Sequence, residues 1–388
     1  MGLTTKKEYI YNFFKKKAAN TILNLIESLF QKTNLISYPQ IVDMVITKNC
    51  NLNCCFCKKY SSDTLNISLN NFEKIASQLL PKARKLNICS GGEPFIHKNI
   101  IDILRISKKY DVWISVVSNG MLLNEHLVNQ LVGENLIDSL AFSVDGIIPV
   151  TVNKIRNNAN FSIIAQNIKY MIEVVKKSKS KRPIISIRYT LMKENIAELP
   201  SAISFWGEMG VDTINCNYLS LCNGIEKNQS LYFHQSLTEQ IFKEAQRIKH
   251  RFKKLSLSTP KLPSKNRLYN KKIRSKKCYF PWMFTMIDAD GRIFPGYNSW
   301  GAIVAGNMLN DDKSFFDIWN SKVYRNLRKT VNNDSIEKEY NYCSICPVRH
   351  KNNSEAWHFG DELFEKYIYS EQKSNISIKR FQNYLYSK

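Results

Sequence analysis

Residues 41–57 read IVDMVITKNCNLNCCFC, an apolar run that leads directly into a turn rich in cysteine. Residues 41–47 predict a buried strand, and three cysteines follow at the spacing Cys50-x3-Cys54-x2-Cys57. Thiolates are the usual protein ligands of iron–sulfur clusters. Three of them in one turn can each hold one iron of a cubane, which leaves the fourth iron open to a chelating ligand such as the amine and carboxylate of an amino acid.

A zinc site is the alternative for this turn. Structural zinc sites take four protein ligands, whereas Cys50, Cys54 and Cys57 supply three; Cys55, next to Cys54 in the same turn, lies outside this spacing. Ten cysteines in a chain without a secretory signal are typical of metal ligands or catalytic thiols rather than of disulfides. The spacing therefore favours an iron–sulfur cluster over zinc.

Short apolar runs and helical patterns alternate from residue 39 to about residue 222. This rhythm predicts an α/β fold in which a parallel sheet closes partly into a TIM-like (β/α)6 barrel. Catalytic groups gather at the carboxyl ends of barrel strands, so residues just after each strand are the first candidates for chemistry. The predicted strands span residues 41–47, 86–89, 112–117, 137–143, 184–191 and 213–217. The predicted helices span residues 69–80, 99–109, 122–131, 162–175 and 199–209.

The flanking segments differ from this rhythm. Apolar residues at helical spacing predict one amphipathic helix over the first 33 residues, which covers the core or faces a partner; a basic helix on a membrane surface is the alternative. After residue 222 the pattern predicts a helix over 237–252, a basic linker and a smaller C-terminal α+β domain. In that domain we expect a hairpin over 283–294 that turns at Asp290-Gly291, and a helix over 315–329. The predicted segments are 1–38, 39–222, 223–277, 278–370 and a tail over 371–388.

The composition of the 388-residue chain excludes several classes of protein. Hydrophobic residues make up 44% and charged residues 23%, as in globular chains, so a wholly disordered or polytopic membrane protein does not fit. No apolar run approaches the roughly 18 residues of a spanning helix, and no signal for secretion is present, which predicts a cytoplasmic location. The formal charge of +23 follows from abundant lysine; its densest stretch, 251–277, predicts a solvated linker or a contact with an anionic substrate.

The cysteine turn and three further motifs, each at the end of a predicted strand, resemble the radical S-adenosylmethionine (SAM) family. Gly91-Gly92-Glu93-Pro94 resembles the GGEP motif that receives the methionine amino group, and Phe56 stands where the family places an aromatic beside the adenine. Ser118-Asn119-Gly120 and Ser143-Val144-Asp145-Gly146 resemble strand ends that contact the ribose and the carboxylate. The resemblance covers residues 41–219 and implies a SAM-binding four-iron cluster.

The chemistry of these residues agrees with the resemblance. Glycine lets the backbone approach a ligand closely, Glu93 is an anion suited to an ammonium group, and Asn119 and Ser143 are small polar groups. Arg188, inside the fifth strand, can meet the SAM carboxylate bidentately or form an ion pair within the barrel wall. The candidate cofactor-binding residues are Phe56, Gly91, Gly92, Glu93, Ser118, Asn119, Ser143, Asp145 and Arg188. The candidate ligands of the first cluster are Cys50, Cys54 and Cys57.

A second set of cysteines resembles the auxiliary-cluster extension called SPASM, or its shortened twitch form. Cys278 and the Cys343-x2-Cys346 pair carry the resemblance, together with Pro281-Trp282. The family usually has a further ligand cysteine where Gly296 stands here, so three thiolates remain and at most one auxiliary cluster fits. Its open iron then takes substrate or an outside ligand such as His350; a zinc-bound or empty site is the alternative.

Four cysteines lie outside both sets: Cys55, Cys89, Cys216 and Cys222. Free cysteine is commonly a small buried apolar residue, and this is the prediction for these thiols. Cys222, after the sixth strand, is the candidate for a thiol that faces the substrate.

The resemblance implies that the reduced cluster passes one electron to SAM, which gives methionine and a 5′-deoxyadenosyl radical that takes hydrogen from a substrate. We expect a small-molecule or carrier-borne substrate that is oxidised or rearranged, because the residues before Pro39 are too few for a peptide-recognition domain. A SPASM-type maturase of ribosomal peptides is the alternative enzyme, and a metal-stapled nucleic-acid-binding protein is the alternative from another class. The expected electron donor is a protein such as flavodoxin or ferredoxin.

Overall fold

The computed structural model describes residues 6–57, 65–89, 91–219, 226–262, 277–296 and 303–333, without the side chains of residues 6–16 and 227. The strands are β1 (Ile41–Met44), β2 (Asn53–Cys54), β3 (Lys85–Ile88), β4 (Trp113–Ser118), β5 (Ser139–Ser143), β6 (Arg156–Asn157), β7 (Ile184–Leu191), β8 (Thr213–Tyr218), β9 (Ser256–Ser258), β10 (Phe284–Ile287), β11 (Arg292–Phe294) and β12 (Gly306–Asn307). The helices are α1 (Lys6–Leu29), α2 (Leu69–Leu79), α3 (Ile100–Lys108), α4 (Glu125–Gly133), α5 (Pro149–Ile155), α6 (Phe161–Lys177), α7 (Leu199–Met209), α8 (Gln235–Lys249), α9 (Phe280–Met283), α10 (Phe315–Trp319) and α11 (Lys322–Thr330).

One ten-stranded sheet carries the molecule, in the order β12-β11-β10-β1-β3-β4-β5-β7-β8-β9. Neighbouring strands from β10 through β1 to β9 are parallel, and β11 and β12 add antiparallel pairs. The strands β1, β3, β4, β5, β7 and β8 are the six that the sequence predicts, so the predicted partial barrel is confirmed. The short strand β9 is an addition, because its sequence Ser-Leu-Ser carries no apolar run.

Helix starts follow local side-chain chemistry. Ser68, Asn124 and Asn160 each accept a hydrogen bond from the backbone N–H three residues later, at the starts of α2, α4 and α6. Gly210 ends α7 in the left-handed conformation, with φ of 95°. These caps fix where each helix leaves the sheet and therefore where the strand-end loops lie.

The helix α1 buries a face other than the one its apolar spacing predicts. Ile22 and Phe30 are 48% and 57% exposed, whereas Asn24 is fully buried and donates to the carbonyl oxygen of Trp282 at 2.6 Å. Asn20 binds the backbone of Tyr38 and Lys82 in the same manner. The prediction that the apolar face covers the core is therefore wrong for this half of the helix, because its polar side chains satisfy backbone groups of the body.

The predicted helix over residues 315–329 is two helices, α10 and α11. Asn320 ends α10, and its carboxamide accepts from the backbone N–H of Leu35 at 2.8 Å and donates to the Leu35 carbonyl at 2.9 Å. Ser321 then precedes α11. The helix is interrupted at Asn320 because its side chain hydrogen-bonds to Leu35, which lies 285 residues earlier in the chain.

The predicted hairpin is present as β10 and β11, and it lies on the edge of the barrel sheet beside β1. Trp282 Nε1 donates to the carbonyl of Lys32 at 2.7 Å, and Trp319 Nε1 donates to that of Ser37 at 2.9 Å. The domain boundary at residue 278 stays a prediction. Among the helices described, none is both long and apolar enough to span a bilayer.

Candidate active site

The cysteine turn begins just after β1 and is fastened to a distant segment. Its strand β2 pairs with β6, and the backbone N–H of Cys55 donates to the carbonyl of Ile155 at 2.9 Å. Cys50 and Cys54 are half-buried, and Cys57 is exposed. Backbone hydrogen bonds therefore hold the turn against the segment around Ile155 and Arg156.

The thiols of this turn resist ionisation in the protein alone. The pKa of Cys54 is raised to about 11, chiefly by burial; Arg156 opposes the shift, and Asp145 and the neighbouring thiols Cys57 and Cys50 add to it. Bound metal cations supply the charge that stabilises such thiolates. Within the described ranges no three His, Cys, Asp or Glu side chains gather around a single ion. A cubane distributes three thiolates over three irons, and three thiols in one turn are a donor set suited to such a cluster.

The two glycines of the Gly91–Pro94 motif pack against the cysteine turn. A Cβ on Gly92 would lie 2.2 Å from the carbonyl oxygen of Asn49, and one on Gly91, which has φ of +94°, would lie 2.6 Å from Val45 Cγ1. The backbone N–H of Glu93 donates to the same Asn49 oxygen at 2.7 Å. Glycine is therefore required here because the backbone of the motif packs closely against residues 45–49, and not because it approaches a ligand.

Glu93 ties the second motif to the third. Its carboxylate accepts from Ser118 Oγ at 2.8 Å, from the backbone N–H of Asn119 at 2.7 Å and from that of Phe95 at 3.2 Å. Burial raises the pKa of Glu93, and these hydrogen bonds oppose the shift. The carboxamide of Asn119 donates to Asn51 Oδ1 at 2.8 Å, inside the cysteine turn. Three of the predicted motifs thus meet at one strand edge.

Ser143 and Arg188 form a different part of the site. They are in register on the neighbouring strands β5 and β7, and both are half-buried. Neither side chain hydrogen-bonds to any residue that the structure describes. A hydroxyl beside a guanidinium without such a hydrogen bond is suited to a carboxylate such as that of SAM.

Asp145 is buried and paired within the protein, unlike a group that is accessible to a ligand. It is fully buried; one oxygen accepts from the backbone N–H of Thr190 at 2.6 Å, and the other lies 2.7 Å from Nε of Arg156. Arg156 Nη1 in turn lies 3.6 Å from Cys54 Sγ, and its Cζ lies 5.4 Å from the centre of the Phe56 ring. Arg156 is a site residue that sequence reasoning missed, because a single arginine in a Lys-rich chain carries no signal.

Phe56 is half-buried against Ile155, Met192 and Leu219, an apolar cluster separate from the main core. Of the four other cysteines, Cys89 and Cys216 are buried as expected, whereas Cys55 is exposed, so the prediction of a buried thiol is wrong for it. Cys222 lies outside the described residues.

The candidate auxiliary site is described only at Cys278. This residue is buried; its N–H donates to Asn332 Oδ1 at 2.7 Å, and its carbonyl accepts from Asn332 Nδ2 at 3.1 Å. The pair brings the end of α11 to Cys278, ten or so residues before the predicted ligand pair. Cys343, Cys346 and His350 lie outside the described residues.

Comparison with protein families agrees with this geometry. Residues 44–206 match the model of the radical SAM superfamily, and residues 278–347 match that of the SPASM iron–sulfur cluster-binding domain. The chain belongs to the radical SAM superfamily. As a member with a SPASM domain it takes a four-iron cluster, SAM and an auxiliary iron–sulfur cluster.

Radical SAM proteins of several kinds are similar to this chain. It is 24% identical over 323 residues to the tungsten-containing aldehyde ferredoxin oxidoreductase cofactor-modifying protein of Pyrococcus furiosus, which covers 78% of this chain and 86% of that protein. It is 21% identical over 329 residues to the AdoMet-dependent heme synthase of Methanosarcina barkeri, covering 80% and 89%. The structure of Streptococcus suis SuiB bound to S-adenosylmethionine shares the fold, with a TM-score of 0.62 and 18% identity over 91% of this chain and 82% of SuiB.

Proposed function

We propose that this protein cleaves SAM reductively and abstracts hydrogen from a small or carrier-borne substrate, which it oxidises or rearranges. The observation that carries the proposal is the convergence of two strand-end motifs, 91–94 and 118–120, on the cysteine turn, through the contacts of Glu93 with Asn49 and of Asn119 with Asn51. The reduced cluster, when bound, supplies the electron that breaks a carbon–sulfur bond of SAM and yields the 5′-deoxyadenosyl radical.

The residues of the chain bind and orient these groups. We assign Cys50, Cys54 and Cys57 to the cluster, and Ser143 with Arg188 to the SAM carboxylate. We assign Glu93 to the SAM ammonium group; Ser118 and Asn119 hold its carboxylate in place. The apolar cluster around Phe56 then offers a dry face to the adenine.

The substrate proposal rests on the relatives and on β8. Two relatives bear names that describe work on cofactors, as a cofactor-modifying protein and a heme synthase. On β8, Asn215 and Asn217 lie beside Arg188 and Thr190 in the register, and neither carboxamide hydrogen-bonds to a described residue. Asn217 Oδ1 is buried without a partner among them. Free carboxamides next to the SAM site suit a polar substrate with carboxylate or amide groups.

A peptide is the second candidate substrate. SuiB has been solved with its precursor peptide SuiA, in a structure that shares this fold at a TM-score of 0.59. Carboxamides such as those of Asn215 and Asn217 also pair with peptide groups. We propose peptide maturation as the runner-up, with a separate electron donor of the flavodoxin or ferredoxin type in either case.

Anaerobic reconstitution tests the proposal. We expect a brown protein with close to eight irons per chain that forms 5′-deoxyadenosine from SAM and dithionite. Cys54→Ala should lose four irons and this activity, whereas Cys216→Ala, which removes a buried thiol of β8 outside the turn, should keep both. A colourless protein that binds zinc, leaves SAM intact and binds nucleic acid in a steeply salt-dependent manner would instead support the nucleic-acid alternative.

A further inference from the structure

Arg156 is a buried cation that joins three parts of the site. It is 8% exposed, and its guanidinium lies 2.7 Å from Asp145 Oδ2 and 3.6 Å from Cys54 Sγ. The plane of the same group lies near the Phe56 ring, with Cζ at 5.4 Å from the ring centre. A guanidinium therefore contacts the sulfur atom that we assign to the cluster.

The contact with sulfur is not needed to fold the turn. The pairing of β2 with β6 is made by backbone groups, with Cys54 opposite Arg156 and Asn53 opposite Asn157. The N–H of Cys55 adds a backbone hydrogen bond to Ile155. These bonds do not involve the Arg156 side chain. Its charge can therefore influence the cluster without being required for the fold of the turn.

The charges of Arg156 and Asp145 affect how readily the cluster is reduced. Reduction adds one negative charge to a cluster, and hydrogen bonds and positive charge at its sulfur atoms favour the reduced form. Arg156 supplies both at Cys54. The fully buried carboxylate of Asp145 opposes it, since it holds a negative charge on the far side of the same guanidinium.

We propose that the Arg156–Asp145 pair sets the reduction potential of the SAM-binding cluster, with Arg156 raising it and Asp145 limiting the rise. Arg156 is in this sense a positioning and tuning residue. The inference rests on the proposed function, because it places the cluster on Cys54.

The test is a redox titration of the cluster followed by electron paramagnetic resonance. It is performed in the Cys278→Ala background, so that only the SAM-binding cluster contributes. Arg156→Gln should lower the potential by about 59 mV, a tenfold change in the equilibrium of a one-electron couple, and Asp145→Asn should raise it. Arg156→Lys keeps the charge and should change the potential less than Arg156→Gln. Lys154→Gln removes a neighbouring exposed charge that is paired with Glu194 and should leave the potential unchanged.

The opposite signs separate tuning from a structural role. Loss of structure would move both variants alike, so shifts of the same sign, or no shift in either, overturn the inference. The double variant Arg156→Gln with Asp145→Asn removes both charges, should bind four irons and should return near the parental potential; it decides the matter if a single variant fails to fold. A parent protein without any cluster signal would contradict the proposed function itself.

Discussion

Asp43 is a buried carboxyl with several polar neighbours. It lies in β1 with no exposure; it accepts from Asn87 Nδ2 at 2.6 Å, and Cys89 Sγ lies 3.5 Å from it. Burial raises the pKa of Asp43 to about 6, although the hydrogen bonds of Asn87 and Cys89 and the charges of Arg188 and Lys85 oppose the shift. The sheet register places Asp43 beside Asn87 on one face of the sheet.

We predict that Asp43→Asn stabilises the protein in a pH-dependent way. A pKa of about 6 in the fold, above the ordinary 3.8, means that the carboxyl is least costly below pH 4 and that the full penalty is present above pH 6. The gain in unfolding free energy should therefore grow by about 2 kcal/mol between pH 4.5 and 7.5. Anaerobic urea titrations at several pH values measure it, with the exposed Asp102→Asn as control. A gain that is equal at every pH would contradict the assignment.

Residues of the candidate site could be predicted from the sequence where they belong to a motif. Cys50, Glu93 and Ser143 stand at strand ends in a recognisable order, so the sequence predicts a cofactor site at this edge before the fold is known. Arg156 was not predictable, because its partner Cys54 lies 102 residues away and pairing at that distance needs coordinates. Asp145 was predicted as a site residue from its motif, but that motif does not show that Asp145 is buried and paired with Arg156.

The sheet elements were predictable for a related reason. The strands β1 and β3 are buried along their whole length, within short and largely apolar runs, whereas β7 and β8 largely alternate between buried and partly exposed residues. For α1 the spacing of apolar residues gave a wrong prediction. This spacing shows which helix face is apolar, but not which face packs against the rest of the protein. The buried face of α1 is chosen by hydrogen bonds, such as that from Asn24 to Trp282, a residue 258 positions later.

We predict that Asn24 contributes more to stability than the apolar Ile22 on the same helix. Asn24→Ala removes hydrogen bonds to Ser37 and to Trp282 and leaves buried acceptors unpaired, which should cost about 1–3 kcal/mol. Ile22→Ala, at a side chain that is 48% exposed, should change stability by less than about 0.5 kcal/mol. Urea unfolding of both variants compares them. A larger loss in Ile22→Ala would mean that α1 buries its apolar face after all.

The whole molecule is organised by the edge that β1 shares with β10. The parallel register of these strands sets residues 284–287 beside residues 41–44, just before the cysteine turn. Asp288, which is 1% exposed at its side chain, then binds Lys48 at 2.9 Å, two residues before Cys50. The region that carries Cys278 therefore supports the strand from which the first cluster loop begins.

This arrangement predicts that the C-terminal region is needed for the first cluster as well as for its own. A chain that ends at Leu262 loses the β10 partner of β1, the Asp288–Lys48 ion pair and both tryptophan hydrogen bonds to residues 32 and 37. An unpaired, buried parallel strand becomes a site for association with other chains, so we expect aggregation and fewer than four irons. Gel filtration, circular dichroism and iron analysis measure this, and a chain that ends at Asn333, which keeps every contact named here, should retain its fold and four irons. A monomeric protein ending at Leu262 that holds four irons and cleaves SAM would show instead that the barrel folds and binds its cluster without the C-terminal region.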